Sequence, residues 1–203
     1  MSEHPESYNR FQIAQRIEHI VLILSFTILA LTGLPQKYPL SPISQGIVGA
    51  LGGIEAIRII HRVAATIFVL ESVYHLVYVG YMLFVKRRQA SMVPTLDDGK
   101  DAIQSISYNL GLTKQEPKMP RFNFAEKMEY WAMLWGLLVM AVTGFMLWNP
   151  IATARILPGE FIPAAKVAHG GEAILAVLAI IIWHFYNVHI RTFNKSMFTG
   201  KLS

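Results

Sequence analysis

The chain has 203 residues, of which 53% are hydrophobic and 15% charged, with a net charge of +5, a mean hydropathy of +0.39 and no cysteine. A charge fraction so far below the roughly 25% of soluble domains excludes an ordinary soluble enzyme and predicts an integral membrane protein. The absence of cysteine excludes iron–sulfur clusters, covalently attached c-type haem and thiolate zinc sites, so any redox centre must rest on nitrogen or oxygen ligands.

The opening MSEHPESYNR is charged and lacks an apolar run. A cleavable secretory signal is therefore not expected, and the first span is read as its own anchor. Crossing a bilayer takes about 20 mostly apolar residues, and four stretches are long enough: about 16–33, 57–85, 128–148 and 167–190. The first carries His19 near its start and the second holds His61 and His75. In the following loop, DDGKDAIQSISYNLGL from Asp97 sets Ala102, Ile103, Ile106 and Leu110 at helical spacing, with acids at the start and Gly111 near the end. This predicts an amphipathic helix over about 97–111 along the membrane surface, between the proline-marked linkers VPTLDDG and KQEPKMPRF. The fourth span holds His169, directly followed by Gly170 and Gly171, and His184. The expected fold is all-α: one membrane domain over 1–203, folded as a four-transmembrane-helix bundle.

Lysine and arginine set the expected orientation. Lys86, Arg87, Arg88, Lys100, Lys114, Lys118, Arg121 and Lys127 lie between the second and third spans, and Arg10, Arg16, Arg191, Lys195 and Lys201 lie in the tails. The other side has Lys37, Arg58, Arg62, Arg155 and Lys166. Positively charged loops resist translocation, so both termini and the long loop are placed in the cytoplasm, in a multi-pass protein of a bacterial or archaeal cytoplasmic (inner) membrane. Anionic lipid headgroups account for the positive charge without a nucleic-acid partner.

The chain contains an internal repeat. AQRIEHIVLILSFTILALTG from Ala14 aligns without gaps on AEKMEYWAMLWGLLVMAVTG from Ala125, and YHLVY at Tyr74 sits against WHFYN at Trp183. The protein reads as a duplicated helical hairpin, whose halves are related by a pseudo-twofold axis along the membrane normal. His61 and His75 are 14 residues apart, His169 and His184 15. At 1.5 Å and 100° per residue, each pair spans about 21–23 Å within about 60° of one face. Polar residues at such depth are costly and mark function. The spacing suits two haems b stacked across the bilayer, the outer one held by His61 and His169, the inner one by His184 with either His75 or His19. Bis-imidazole ligation keeps the iron six-coordinate and suits electron transfer. The repeat favours His75, because Tyr130 stands where the first half has His19. An alternative arrangement uses His19 with His189 for a third haem near the cytoplasmic surface.

Gly170 and Gly171 leave room for a flat macrocycle near the backbone. Arg58, Arg62 and Lys166 lie where outer-haem propionates need cations, and Arg16 and Arg191 where inner ones do. Glu71 and Glu172 are intramembrane carboxylates able to relay protons.

RIEHIVLILSFTILALTGLP, the early His61 of the second span, and the last span with His169, WHFY and the closing FTGKLS resemble the prokaryotic di-haem cytochrome b subunits of formate dehydrogenases, nickel–iron hydrogenases and related quinone-linked complexes, over nearly the whole chain. That resemblance implies His19 with His184 and His61 with His169 as ligand pairs, and this chain departs from it by adding His75. The paired histidines of the second and fourth spans are also similar to the cytochrome b of quinol:cytochrome c reductases. The resemblance implies an extracytoplasmic iron–sulfur or multihaem c-type partner subunit in a hetero-oligomeric complex, and a menaquinone or ubiquinone site near the inner haem. Glu18, His19, Tyr186 and Asn187 are the candidate quinone contacts, and the loop helix would bind lipid or cover the entrance. Two competing readings use the same residues: a self-sufficient membrane oxidoreductase of ferric-reductase or superoxide type, and a haem-free, histidine-lined metal or proton transporter.

Overall fold

The computed structural model describes residues 8–9, 11–115, 122–191 and 195–202. Arg10, Lys118 and Arg121 lie outside the described residues, as do the side chains of His189, Arg191 and Lys201. Among the described residues, four helices are long and apolar enough to cross a membrane: α1 (Ile13–Lys37), α3 (Ile54–Gly80, extended to Val85), α5 (Phe124–Trp148) and α7 (Phe161–Leu178, extended to Val188). Two short helices, α2 (Pro42–Ala50) and α6 (Pro150–Ile156), join them in pairs at one end of the bundle. Both begin on a proline, whose fixed φ and missing N–H suit a first helical turn. Gly52 and Gly53, with φ of +87° and +99°, make the turn into α3, a backbone shape that favours glycine.

α1 packs chiefly on α3, and α5 chiefly on α7, so each half is a helical hairpin. Large apolar side chains point outward: Leu24 is 59% exposed, Leu70 65% and Trp135 66%. Ile57 and Pro35 are fully buried, but most other buried positions in the spans are small or polar, among them Ser25, Thr32, Ala64, Ser72, Thr143 and Ala165. Ser25 and Ser72 turn their hydroxyls back onto the carbonyls of Val21 and Phe68, which satisfies them within their own helices. This arrangement suits hydrocarbon solvent, where small residues let helices approach and polar groups must find protein partners.

At the other end, the loop helix α4 (Leu96–Asn109) starts from a capping box of Thr95 and Asp98, one to two residues from its expected bounds. Lys127 donates to both oxygens of Asp98 at 2.8 Å, with the two side chains only 9% and 10% exposed. The Trp131 indole N–H donates to the carbonyl of Met92 at 2.9 Å. The repeat partner of Lys127 is Arg16, whose guanidinium bonds the carbonyl of Phe198 in α8 (Ser196–Thr199). The base at the start of each odd-numbered span thus pins an extramembrane segment. Beside it, β1 (Tyr8–Asn9) pairs antiparallel with β2 (Lys201–Leu202).

α7 contains π-helical turns over Ala179–His184 and Tyr186–Arg191. A π turn, bonded i→i+5, holds about one residue more than an α turn. The stretch from His61 to His75 is α-helical throughout. The π turn therefore absorbs the additional residue between His169 and His184, and both histidine pairs keep the same register.

Candidate functional site

The four helices bring histidines together at two levels. At the first, His61 from α3 and His169 from α7 lie with ring centres 6.4 Å apart and planes at 68°. His61 Nδ1 is 2.9 Å from the hydroxyl of Thr32, and His169 Nδ1 is 2.9 Å from that of Thr143. Each hydroxyl spends its one proton on a carbonyl a turn back, that of Ile28 or Val139. A hydroxyl whose proton is committed can only accept from the imidazole. Both histidines therefore carry N–H on Nδ1 and a lone pair on Nε2. The next residues are Gly33 and Gly144, where a Cβ would stand 3.1 Å from Cε1 of His61 and of His169. Each Thr-Gly pair thus supplies one bond and one gap for a histidine. The repeat displayed these dipeptides, but only the packing gave them a role.

At the second level carboxylates replace the hydroxyls. Glu18 Oε2 is 2.8 Å from His75 Nδ1, and its repeat mate Glu129 places Oε1 2.5 Å from His184 Nδ1. Here the halves diverge across the bundle. His184 stands against His19 with ring centres 6.2 Å apart. The repeat-related contact is His75 against Tyr130, at 5.9 Å, with His75 Nε2 3.3 Å from the phenol oxygen. In the structure His184 therefore faces His19, the alternative partner expected for it, while both nitrogens of His75 are engaged by Glu18 and Tyr130. The pseudo-twofold brings equivalent residues together only near its axis, as at His61 and His169. Away from it, symmetry equates His19:His184 with Tyr130:His75.

The expected cations divide. Arg58 pairs with Glu55 on an exposed helix turn, Arg62 lies over the Trp148 ring at 5.3 Å, and Lys166 is exposed. Arg16 is occupied by the Phe198 carbonyl, with Nε buried and unpartnered. Lys37, not singled out from the sequence as a propionate partner, lies against Gly170, next to His169: a Cβ on Gly170 would lie 2.6 Å from its Nζ. The missing side chain at Gly170 makes room for that lysine, whereas a Cβ on Gly171 would meet nothing within 4 Å. Of the quinone candidates, Glu18 is bonded to His75, Asn187 donates to the Trp183 carbonyl, and Tyr186 is half exposed. Both oxygens of Glu71 are buried without a hydrogen-bond partner, as is Glu18 Oε1.

Residues 10–200 match the family model described as prokaryotic cytochrome b561. The chain belongs to that family. It is also 21% identical over 194 residues, 96% of this chain and 83% of the relative, to the cytochrome b556(Fdn) subunit of the nitrate-inducible formate dehydrogenase of Escherichia coli K12, and equally to its counterparts in Escherichia coli O157:H7 and Shigella flexneri. The protein is thus a membrane b-type cytochrome of electron transfer, multi-pass in the inner membrane of a prokaryote, and its cofactor is haem b. The haem-free transporter reading falls with that membership.

The ring pairs fit this cofactor. With an imidazole–metal bond of about 2.0–2.1 Å and the ring centre roughly 1.1 Å behind the nitrogen, two imidazoles trans across one metal have centres about 6.3 Å apart. The separations of 6.4 and 6.2 Å agree with that value. Among the described residues no cluster of three or more His, Cys, Asp or Glu is placed to hold a bare metal ion, and a porphyrin-bound iron asks the protein for axial ligands only.

Proposed function

We propose that this cytochrome holds two haems b, one between His61 and His169 and one between His19 and His184, and carries electrons between an extracytoplasmic redox subunit and the membrane quinone pool. The observation that carries the reading is that imidazoles from α1, α3 and α7 face one another in two pairs, His61 with His169 and His19 with His184, at separations compatible with axial ligation of one iron each, with His61, His169 and His184 each anchored through Nδ1 by a hydroxyl or a carboxylate. Haem b supplies one-electron chemistry at both levels; the chain's residues hold, orient and insulate it. Thr32 and Thr143 fix the ring orientation at the outer level, and Glu129 does so for His184 at the inner one. Lys37, beside Gly170, is the cation best placed for an outer propionate. The prevalence of lysine and arginine in the α3–α5 loop and tails supports a cytoplasmic position for the His184 level, where a quinone draws protons as well as electrons.

The relative's name as a formate dehydrogenase subunit supports membership of a hetero-oligomeric redox complex. The chain has no cysteine with which to hold an iron–sulfur relay of its own. This favours a subunit over a self-sufficient oxidoreductase. Two measurements on the purified protein test the proposal. His19→Ala is expected to lose one of two haems while His75→Ala keeps both, read as the haem-to-protein ratio; the reverse pattern would return His75 to the inner site. Dithionite-reduced protein is expected to be reoxidised by added menaquinone or ubiquinone analogue, and haems that stay reduced would end the quinone linkage.

A further inference from the structure

The two levels differ in what stands behind the ligands. At the outer level both Nδ1 atoms donate to neutral hydroxyls, those of Thr32 and Thr143, at 2.9 Å. At the inner level His184 Nδ1 meets the carboxylate of Glu129 at 2.5 Å, with the two side chains 26% and 23% exposed. Both halves of the repeat have a carboxylate at this position, Glu18 and Glu129, yet Glu18 is bonded to His75. Of these two glutamates, Glu129 is the one that stands behind a histidine that the ring geometry places opposite a second imidazole.

A carboxylate that accepts from Nδ1–H draws the proton away from the ring, makes Nε2 a stronger donor and fixes the tautomer. It also puts a negative charge near the iron, through a partly dry interior where charge interactions exceed their strength in water. Both effects favour ferric over ferrous iron, because reduction adds an electron at that level. A threonine hydroxyl gives the same orientation with neither the charge nor the basicity.

We infer that Glu129 is a positioning residue that sets the reduction potential of the His184 site, holding it below the value that the same two imidazoles would give with a neutral partner. The inference rests on the two-haem reading above. It makes the two levels electronically unequal although the two halves repeat in sequence. The difference lies in the pairing: the same glutamate position serves a ligand in one half and a tyrosine-capped histidine in the other.

The test is an optical redox titration of the purified wild type and of Glu129→Gln, with His61→Ala used to assign which step belongs to the His184 site. Glutamine keeps an acceptor oxygen for Nδ1–H and removes only the charge, so E129Q should retain two haems. Its His184-site midpoint should rise, and the other midpoint should stay in place. Two retained haems with both midpoints unmoved would overturn the inference and leave the function standing. Should E129Q lose the His184-site haem, Glu129→Asp decides. A shorter side chain keeps the charge and lengthens the contact, so a loaded E129D should titrate above wild type. An E129D midpoint equal to wild type, loss of the His61–His169 haem instead, or loss of the His184-site haem from both variants, which would make Glu129 a support for haem binding and not a setter of potential, would overturn the inference. A colourless, folded wild type would overturn both the inference and the function.

Discussion

A histidine in hydrocarbon needs a reason to point one way, and the first level shows what gives it one. Thr32 and Thr143 each commit a proton to their own helix and accept from the imidazole, while Gly33 and Gly144 leave the ring its space. Replacing Thr143 with valine preserves shape and strands a part-buried N–H. An unsatisfied buried donor costs about 1–3 kcal/mol. T143V is thus expected to unfold at a lower temperature than wild type by circular dichroism and to hold the His169-site haem less firmly. An unchanged melting curve would show that water or another acceptor replaces the hydroxyl. The histidines were legible as residues because polar groups at mid-membrane stand out in an apolar sequence. Their partners were not, since a serine, threonine or glutamate on a helix declares nothing about the neighbouring helix that it touches.

The helices carry two devices of their own. In α7 the π turn at Ala179–His184 takes up the residue by which the His169–His184 interval exceeds that of α3. Deleting Ile181 should convert that turn to α-helix and leave His184 in register, so two haems per protein are expected; a single remaining haem would mean that the π turn does more than absorb length. In α4 the anchor is electrostatic. The ammonium of Lys127, joined by the Thr95 backbone N–H, holds the Asp98 carboxyl below its ordinary range. A carboxylate depressed in the folded state contributes stability above its unfolded value, near 4, and loses it as pH falls through the lower folded value. Limited proteolysis of the α4 segment should therefore be slow at neutral pH and accelerate only below that ordinary range, whereas Asp98→Asn should be cut faster at pH 7. Equal cutting of D98N and wild type at pH 7 would show that the Trp131–Met92 bond alone keeps α4 in place. The amphipathic periodicity of α4 gave its bounds to within two residues, because burial of one helical face is a local pattern; its buried ion pair joins residues 29 positions apart and left no such trace.

As a whole the molecule wraps an interior of mostly small and polar residues, with Ile57 among them, in large apolar side chains. The lysine and arginine distribution predicts that both ends of the chain and α4 face the cytoplasm; a phosphatase fused after Ser203, which matures only in the periplasm, should be inactive, and an active fusion would invert the two histidine levels and the haem sites proposed for them. Composition, the four apolar runs and the gapless repeat were enough to determine a duplicated four-helix membrane bundle with histidines at two depths. All of these are properties of single helices, written in hydropathy, length and spacing. Spacing and repeat left open whether His19 or His75 meets His184, and that choice was decided in three dimensions, because ring pairing depends on how each helix is rotated about its axis and on its distance from the pseudo-twofold. Near that axis His61 meets its mate His169; further out, His184 meets His19 and His75 meets Tyr130. A repeat in sequence fixes equivalence between halves, and contact follows from where the packed helices place those halves in space.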